Sequence, residues 1–120
     1  MRSALAVAVG AAIGTTARWA VGEMLASDGF PWATLVVNVV GCAVMGWCAV
    51  AIARRTPAWY FVATGVLGGF TTASAFAVDI RQLLDDGRTI AALVYVAASF
   101  GLGLAALSTT RAAALRRAAP

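Results

Sequence analysis

The chain contains no histidine and no lysine, so all nine of its basic residues are arginines. Charge of either sign is scarce: 12% of the 120 residues are charged, whereas 62% are apolar. Soluble domains carry about 25% charged and about 45–50% apolar residues, so too little polar surface is available here to cover a soluble core. Without histidine or a visible nucleophile–base pair, an enzyme is the least favoured class. The net charge of +4 does not indicate nucleic acid, because no basic face remains once the apolar runs are set aside. The two cysteines, Cys42 and Cys48, lie in one apolar run. At about 1.5 Å rise per residue they stand about 9 Å apart along a helix, too far to pair. They have no metal-site spacing either, and read as packing residues.

What the chain does have is four long apolar stretches with short polar punctuation. The first runs from about Ala4 to Ala26 and ends in the turn residues Ser27-Asp28-Gly29-Phe30-Pro31. The second, 32–53, carries no charge, and Arg54-Arg55-Thr56-Pro57 stops it. The third spans 58–84, Asp85-Asp86-Gly87-Arg88 forms the next turn, and the fourth spans 89–110. Each reaches the ~20 residues that a helix needs to cross a ~30 Å hydrocarbon core. Barrel strands would be half as long and alternating. The first stretch also outruns a signal-peptide h-region and holds Arg18 and Glu23, so it reads as a membrane helix. The expected fold is a single all-α membrane domain over residues 1–120 with four transmembrane helices.

Small residues recur at helix-packing spacing: Gly10 and Gly14, Gly65 and Gly69, Ser99 and Gly103. Four short helices enclose little volume, so pairing with another subunit is expected. Four spans put Arg2, Arg54, Arg55, Arg111, Arg116 and Arg117 on one side, against Arg81 and Arg88 on the other. The positive-inside rule then predicts cytoplasmic N- and C-termini.

Polar groups at membrane depth are costly, and are functional candidates for that reason. Arg18 lies roughly 21 Å along the first helix, where it either attracts anions to a vestibule or snorkels to the interface. Thr34 and Asn38, spaced i, i+4, share a helix face; the amide either joins helices or solvates a passing anion. Tyr95 and Ser99 repeat that pattern on the fourth helix. The third stretch holds Gly65-Val66-Leu67-Gly68-Gly69-Phe70-Thr71-Thr72-Ala73-Ser74 at its middle. Glycine costs a helix about 1 kcal/mol against alanine. This segment is therefore either a break that frees backbone carbonyls or a straight helix with a glycine packing groove.

These residues, taken together, resemble the CrcB/Fluc family of bacterial fluoride channels over nearly the whole chain. The segment from Pro31 through Thr34 and Asn38 to Gly41 is similar to the family's G-T-L-x-x-N-x-x-G helix. Thr64 to Thr72 is similar to its T-G-x-x-G-G-x-T-T break, and Ala17-Arg18-Trp19 to the arginine near the end of its first helix. The resemblance implies a third helix broken at mid-span and an antiparallel dimer with two fluoride pathways between the subunits. It also implies a structural sodium at the dimer centre, held by backbone carbonyls at Gly68 and Thr71. Fluoride-pathway positions correspond to Asn38, Ser74 and Phe76, with Thr34, Tyr95 and Ser99 added, and Asp79 falls where the family often has an acidic residue. The implied function is a passive fluoride channel that lowers cytoplasmic fluoride.

Two departures qualify the resemblance. The family's break continues Thr-Thr-Phe-Ser-Thr-Phe, whereas this chain reads Thr71-Thr72-Ala73-Ser74-Ala75-Phe76, so Ala73 removes one of two rings. Members that insert both ways have balanced loops, whereas this chain has six arginines against two. Both departures point to a heterodimer with an oppositely oriented paralogue that supplies the missing ring. Alternatives are a four-helix drug exporter, disfavoured because the only glutamate is Glu23 near a helix end, and a non-conducting scaffold subunit.

Overall fold

The computed structural model describes residues 2–26 and 29–119; Ser27 and Asp28 of the expected first turn lie outside the described residues. The first helix, Arg2–Met24, and the second, Trp32–Ala51, stop slightly before the sequence boundaries at 26 and 53. The second ends where Ile52 turns extended, and Arg55 then adopts a left-handed φ of 64°. Thr56 restarts the chain as an N-cap: its hydroxyl accepts the Trp59 N–H at 3.2 Å, with Pro57 in the first helical turn. Proline suits that position because its missing donor would be unpaired there anyway.

The third span is built in pieces. A turn at Pro57–Trp59 leads into a π-helical segment, Tyr60–Val66, and then into one α-turn, Leu67–Phe70. Thr71 (φ −78°, ψ 159°) and Thr72 (φ −150°, ψ 122°) are extended, and helix resumes at Ala73–Asp85. The last helix, Thr89–Ala118, runs past the apolar boundary at residue 110. Its extension is mostly alanine, leucine and arginine, all strong helix formers, and Arg116 and Arg117 in the last turn face the negative end of the helix dipole. Four helical spans are therefore long and apolar enough to cross a membrane. The protein is an all-helical multi-pass membrane protein, with no strand among the described residues.

Packing follows the small residues. The first helix lies against the opening half of the third span, and the second against the fourth. Gly10 faces Gly65, Gly14 faces the backbone at Val66 and Phe70, and Gly69 faces Ala11, so close that a methyl at Gly65 would sit 2.9 Å from the Val7 carbonyl. Backbones meet directly where lipid supplies no hydrophobic drive. At one end, Leu35, Leu83, Ala92 and Tyr95 form the buried core. There the Arg88 guanidinium donates to the Gly29 carbonyl at 2.6 Å, which joins the first and third interhelical turns on one side. Large apolar side chains such as Leu5, Ile13, Leu93, Leu102 and Leu104 point outward, as a lipid solvent allows.

Candidate functional site

A helix that stops and restarts leaves backbone groups to be satisfied by something other than itself. The second helix supplies one partner. Thr72 donates its N–H to Asn38 Oδ1 at 2.9 Å and accepts from Asn38 Nδ2 at 3.0 Å. One amide thus closes both backbone groups of an extended residue, as a neighbouring strand would. The Thr72 hydroxyl then caps the resumed helix by accepting the Ala75 N–H at 3.1 Å, and lies 3.2 Å from the Ser74 hydroxyl.

The first helix supplies the rest. Thr15 donates its hydroxyl to the Gly69 carbonyl at 3.4 Å, and Arg18 donates Nη1 to the Thr71 carbonyl at 3.4 Å. Arg18 is half-buried and turned inward to the break. The Thr71 hydroxyl bonds back to the Leu67 carbonyl at 2.8 Å. The Gly68 carbonyl receives no hydrogen bond among the described residues, since the Thr72 N–H that would reach it in a continuous helix goes to Asn38. Gly68 also faces open space, with nothing within 4 Å of where a side chain would begin.

Beside the break lies a cavity of about 340 Å³, lined by Asn38, Cys42, Thr71, Thr72, Ala73, Phe76, Ser99 and Phe100. The Ser99 hydroxyl oxygen is buried there and has no hydrogen-bond partner among the described residues. An unmet buried hydroxyl costs about 1–3 kcal/mol, so its presence demands a reason. Phe76 packs on Tyr95 at 5.1 Å between ring centroids and stands perpendicular to Phe100 at 6.0 Å. Gly68 and Thr71 share a second, smaller hollow of about 220 Å³ with Gly41, Cys42, Ala63 and Leu107 among its walls.

Three pathway positions expected from the sequence therefore meet around one cavity: Asn38, Phe76 and Ser99. The others stand elsewhere. Tyr95 is fully buried (0% exposed) and donates its hydroxyl to Asp79 Oδ2 at 3.0 Å, with Thr34 beside it. Its proton is therefore engaged by a carboxylate. Ser74 is exposed and engaged with Thr72, and does not line the cavity.

The family model described as CrcB-like protein, Camphor Resistance (CrcB), matches residues 5–110. The chain belongs to the CrcB family. It is 47% identical over 114 residues to the fluoride-specific ion channel FluC of Rhizobium etli, covering 89% of this chain and 91% of that one. It is 52% identical over 99 residues to the fluoride-specific ion channel FluC 2 of Streptomyces avermitilis, covering 78% of this chain and 63% of the relative. The corresponding figures for FluC 1 of Streptomyces coelicolor are 48% over 99 residues, 78% and 64%.

In this CrcB-family chain, two residues of the cavity wall escape sequence reasoning. Cys42 reads as a packing residue, and nothing in the sequence sets Phe100 apart from the other apolar residues of its stretch. Only the fold brings Phe100 against Phe76, and no spacing along the fourth helix marks it.

Proposed function

We propose that this chain is a subunit of a passive, fluoride-selective channel, working as an antiparallel dimer in the bacterial inner membrane. The observation that carries the reading is the buried, unpartnered Ser99 hydroxyl in a cavity shared with the Asn38 amide and the Phe76 ring. Fluoride is small and strongly hydrated, so a pathway must replace its water with closely placed donors. A free hydroxyl, an amide N–H and the positive edge of an aromatic ring are donors of that kind. Asn38 Nδ2 has two hydrogens and spends one on Thr72, which leaves the other for an anion. The Ala73–Asp85 helix begins at the same break, and the positive end of its dipole adds to the attraction. The half-buried Arg18 guanidinium adds a full charge. Relatives named fluoride-specific ion channels support the same reading.

No energy-coupling device is required. Fluoride enters a cell as its neutral weak acid and ionises inside, and an inside-negative potential drives the anion out through an open path.

A structural sodium fits the donor set beside the break. The Gly68 carbonyl accepts no hydrogen bond among the described residues, and the Thr71 carbonyl has a lone pair to spare beside Arg18. Hard cations prefer such oxygens, and Gly68 and Thr71 would hold the ion together with the same carbonyls of the partner. When bound, it supplies a positive charge at mid-depth. The hydrogen bonds from Asn38, Thr15 and Arg18 hold the break open, and the Thr72 N–H that would otherwise reach the Gly68 carbonyl goes to Asn38.

The arginine bias, six against two, orients both termini to the cytoplasm and makes a single insertion direction the favoured one. The antiparallel partner is then an oppositely oriented paralogue. Liposomes containing this chain alone are expected to retain fluoride. Liposomes containing it with an oppositely biased family member from the same cell are expected to release fluoride and keep chloride. Release by the chain alone would overturn the paralogue and leave the channel standing. Retention in both preparations would overturn the channel and bring forward the scaffold reading.

A further inference from the structure

We infer that Phe100 is an anion-contacting, selectivity-determining residue of the cavity; the inference rests on the channel reading above and adds to it a residue that the sequence pattern does not carry. Three observations converge on this side chain. Phe100 lines the cavity next to Ser99, its neighbour in sequence, whose hydroxyl is buried without a partner. Its ring stands at 90° to that of Phe76, with centroids 6.0 Å apart. It is also 62% exposed, so it is not a core residue held only by packing within this subunit.

The perpendicular arrangement matters chemically. An aromatic ring is negative on its faces and positive at its edge, and in a perpendicular pair one edge turns toward the other face. Anions are repelled by faces and attracted by edges. A wall that offers two rings, one hydroxyl and one amide N–H therefore suits a bare monatomic anion better than a cation or a neutral solute. Ala73, which lines the same cavity, contributes only a methyl to it. A ring from the fourth helix thus stands beside the break where Ala73 supplies none.

The anion served is fluoride rather than a larger halide, because the hydroxyl, amide and ring edges that line the cavity offer hydrogen-bond donors, and hydrogen-bond strength favours the harder ion. Phe100 and Ser99 then act as one unit: the hydroxyl meets the anion from one direction and the ring edge from another.

The test has two arms. The first measures fluoride and chloride efflux from liposomes carrying the parent or a Phe100 variant, each with the oppositely oriented partner. Phe100→Leu is expected to slow fluoride release by about tenfold, a step typical of losing one oriented contact. Phe100→Tyr is expected to stay near the parent rate, and adding Ala73→Phe to Phe100→Leu to restore part of the loss. A Phe100→Leu protein that conducts like the parent would overturn the inference while leaving the channel intact. The second arm needs no flux. The five phenylalanines of the parent are labelled on the ring with carbon-13 and titrated with sodium fluoride, with sodium chloride as control. Fluoride-specific shifts at both Phe76 and Phe100 support the inference even where Phe100→Leu folds poorly. Shifts at Phe76 alone, or at neither ring, overturn it. A parent pair that is silent in the first arm overturns the channel reading, and the titration still decides whether Phe100 meets the anion.

Discussion

Asn38 and Thr72 are joined twice, through Thr72 N–H to Oδ1 at 2.9 Å and Nδ2 to the Thr72 carbonyl at 3.0 Å. The amide therefore holds an extended residue between two helices and keeps one N–H in reserve. The structural role and the proposed anion-contacting role fall on the same group, which is why spacing alone leaves them undivided.

Asn38→Ala removes both bonds and strands two backbone groups of a buried residue. A loss of about 2–4 kcal/mol is expected, two unmet groups at about 1–3 kcal/mol each less partial relaxation. Asn38→Asp keeps the acceptor and loses the donor, so it should fall between parent and alanine. The unfolding midpoint in detergent checks the order.

Tyr95 and Asp79 make a different kind of pair, buried phenol to carboxylate at 3.0 Å. Tyr95→Phe leaves the carboxylate without that donor and should destabilise by about 1.5–3 kcal/mol, the range for hydrogen bonds to charged groups. Asp79→Asn still accepts the Tyr95 proton and should cost less. The same unfolding measurement separates them, and equal losses would contradict the donor assignment.

Gly68 and Gly65 lie three residues apart in opposite circumstances. A methyl at Gly65 collides with the Val7 carbonyl and the first helix, whereas one at Gly68 meets nothing within 4 Å. Gly65→Ala should destabilise the single chain by about 1–3 kcal/mol, the usual cost of overpacking. Gly68→Ala should leave the chain folded and weaken its pairing if the proposed dimer seats its partner on this open face. Crosslinking yield read beside the unfolding midpoint distinguishes the two effects.

Arg18 donates to the Thr71 carbonyl, so it braces the break; in the proposed channel its charge also acts on the passing anion. Arg18→Gln keeps a donor and removes the charge. Fluoride efflux is expected to fall about tenfold, equivalent to about 1.4 kcal/mol, with little change in the unfolding midpoint. Equal flux would mean that the charge is screened from the anion.

Much of the fold is legible from residue types alone. Uninterrupted apolar runs give the four spans, and the glycine pairs give the contact between the first and third. The helix end at Ala118 is not legible from hydropathy, because alanine and arginine continue a helix as well in water as in lipid. The π-helical segment Tyr60–Val66 also leaves no mark, since its extra residue per turn is set by packing against the first helix. In the site, Asn38 and Ser99 stand out as polar groups at membrane depth, whereas Phe76 is reached only through the resemblance to the family. The use of the Tyr95 proton depends on Asp79, sixteen residues away, and Phe100 on a ring from another helix. Such pairings are made by tertiary structure and have no period in the sequence.

The most direct measurement is Ser99→Ala, read for stability and for flux in liposomes that carry the chain with its oppositely oriented partner. Removing an unpartnered buried hydroxyl should raise the unfolding midpoint, and removing a fluoride ligand should slow fluoride efflux by about tenfold or more. Higher stability with lower flux is the predicted result. Fluoride efflux equal to the parent's would contradict the account, because the hydroxyl would then have no part in the anion's path.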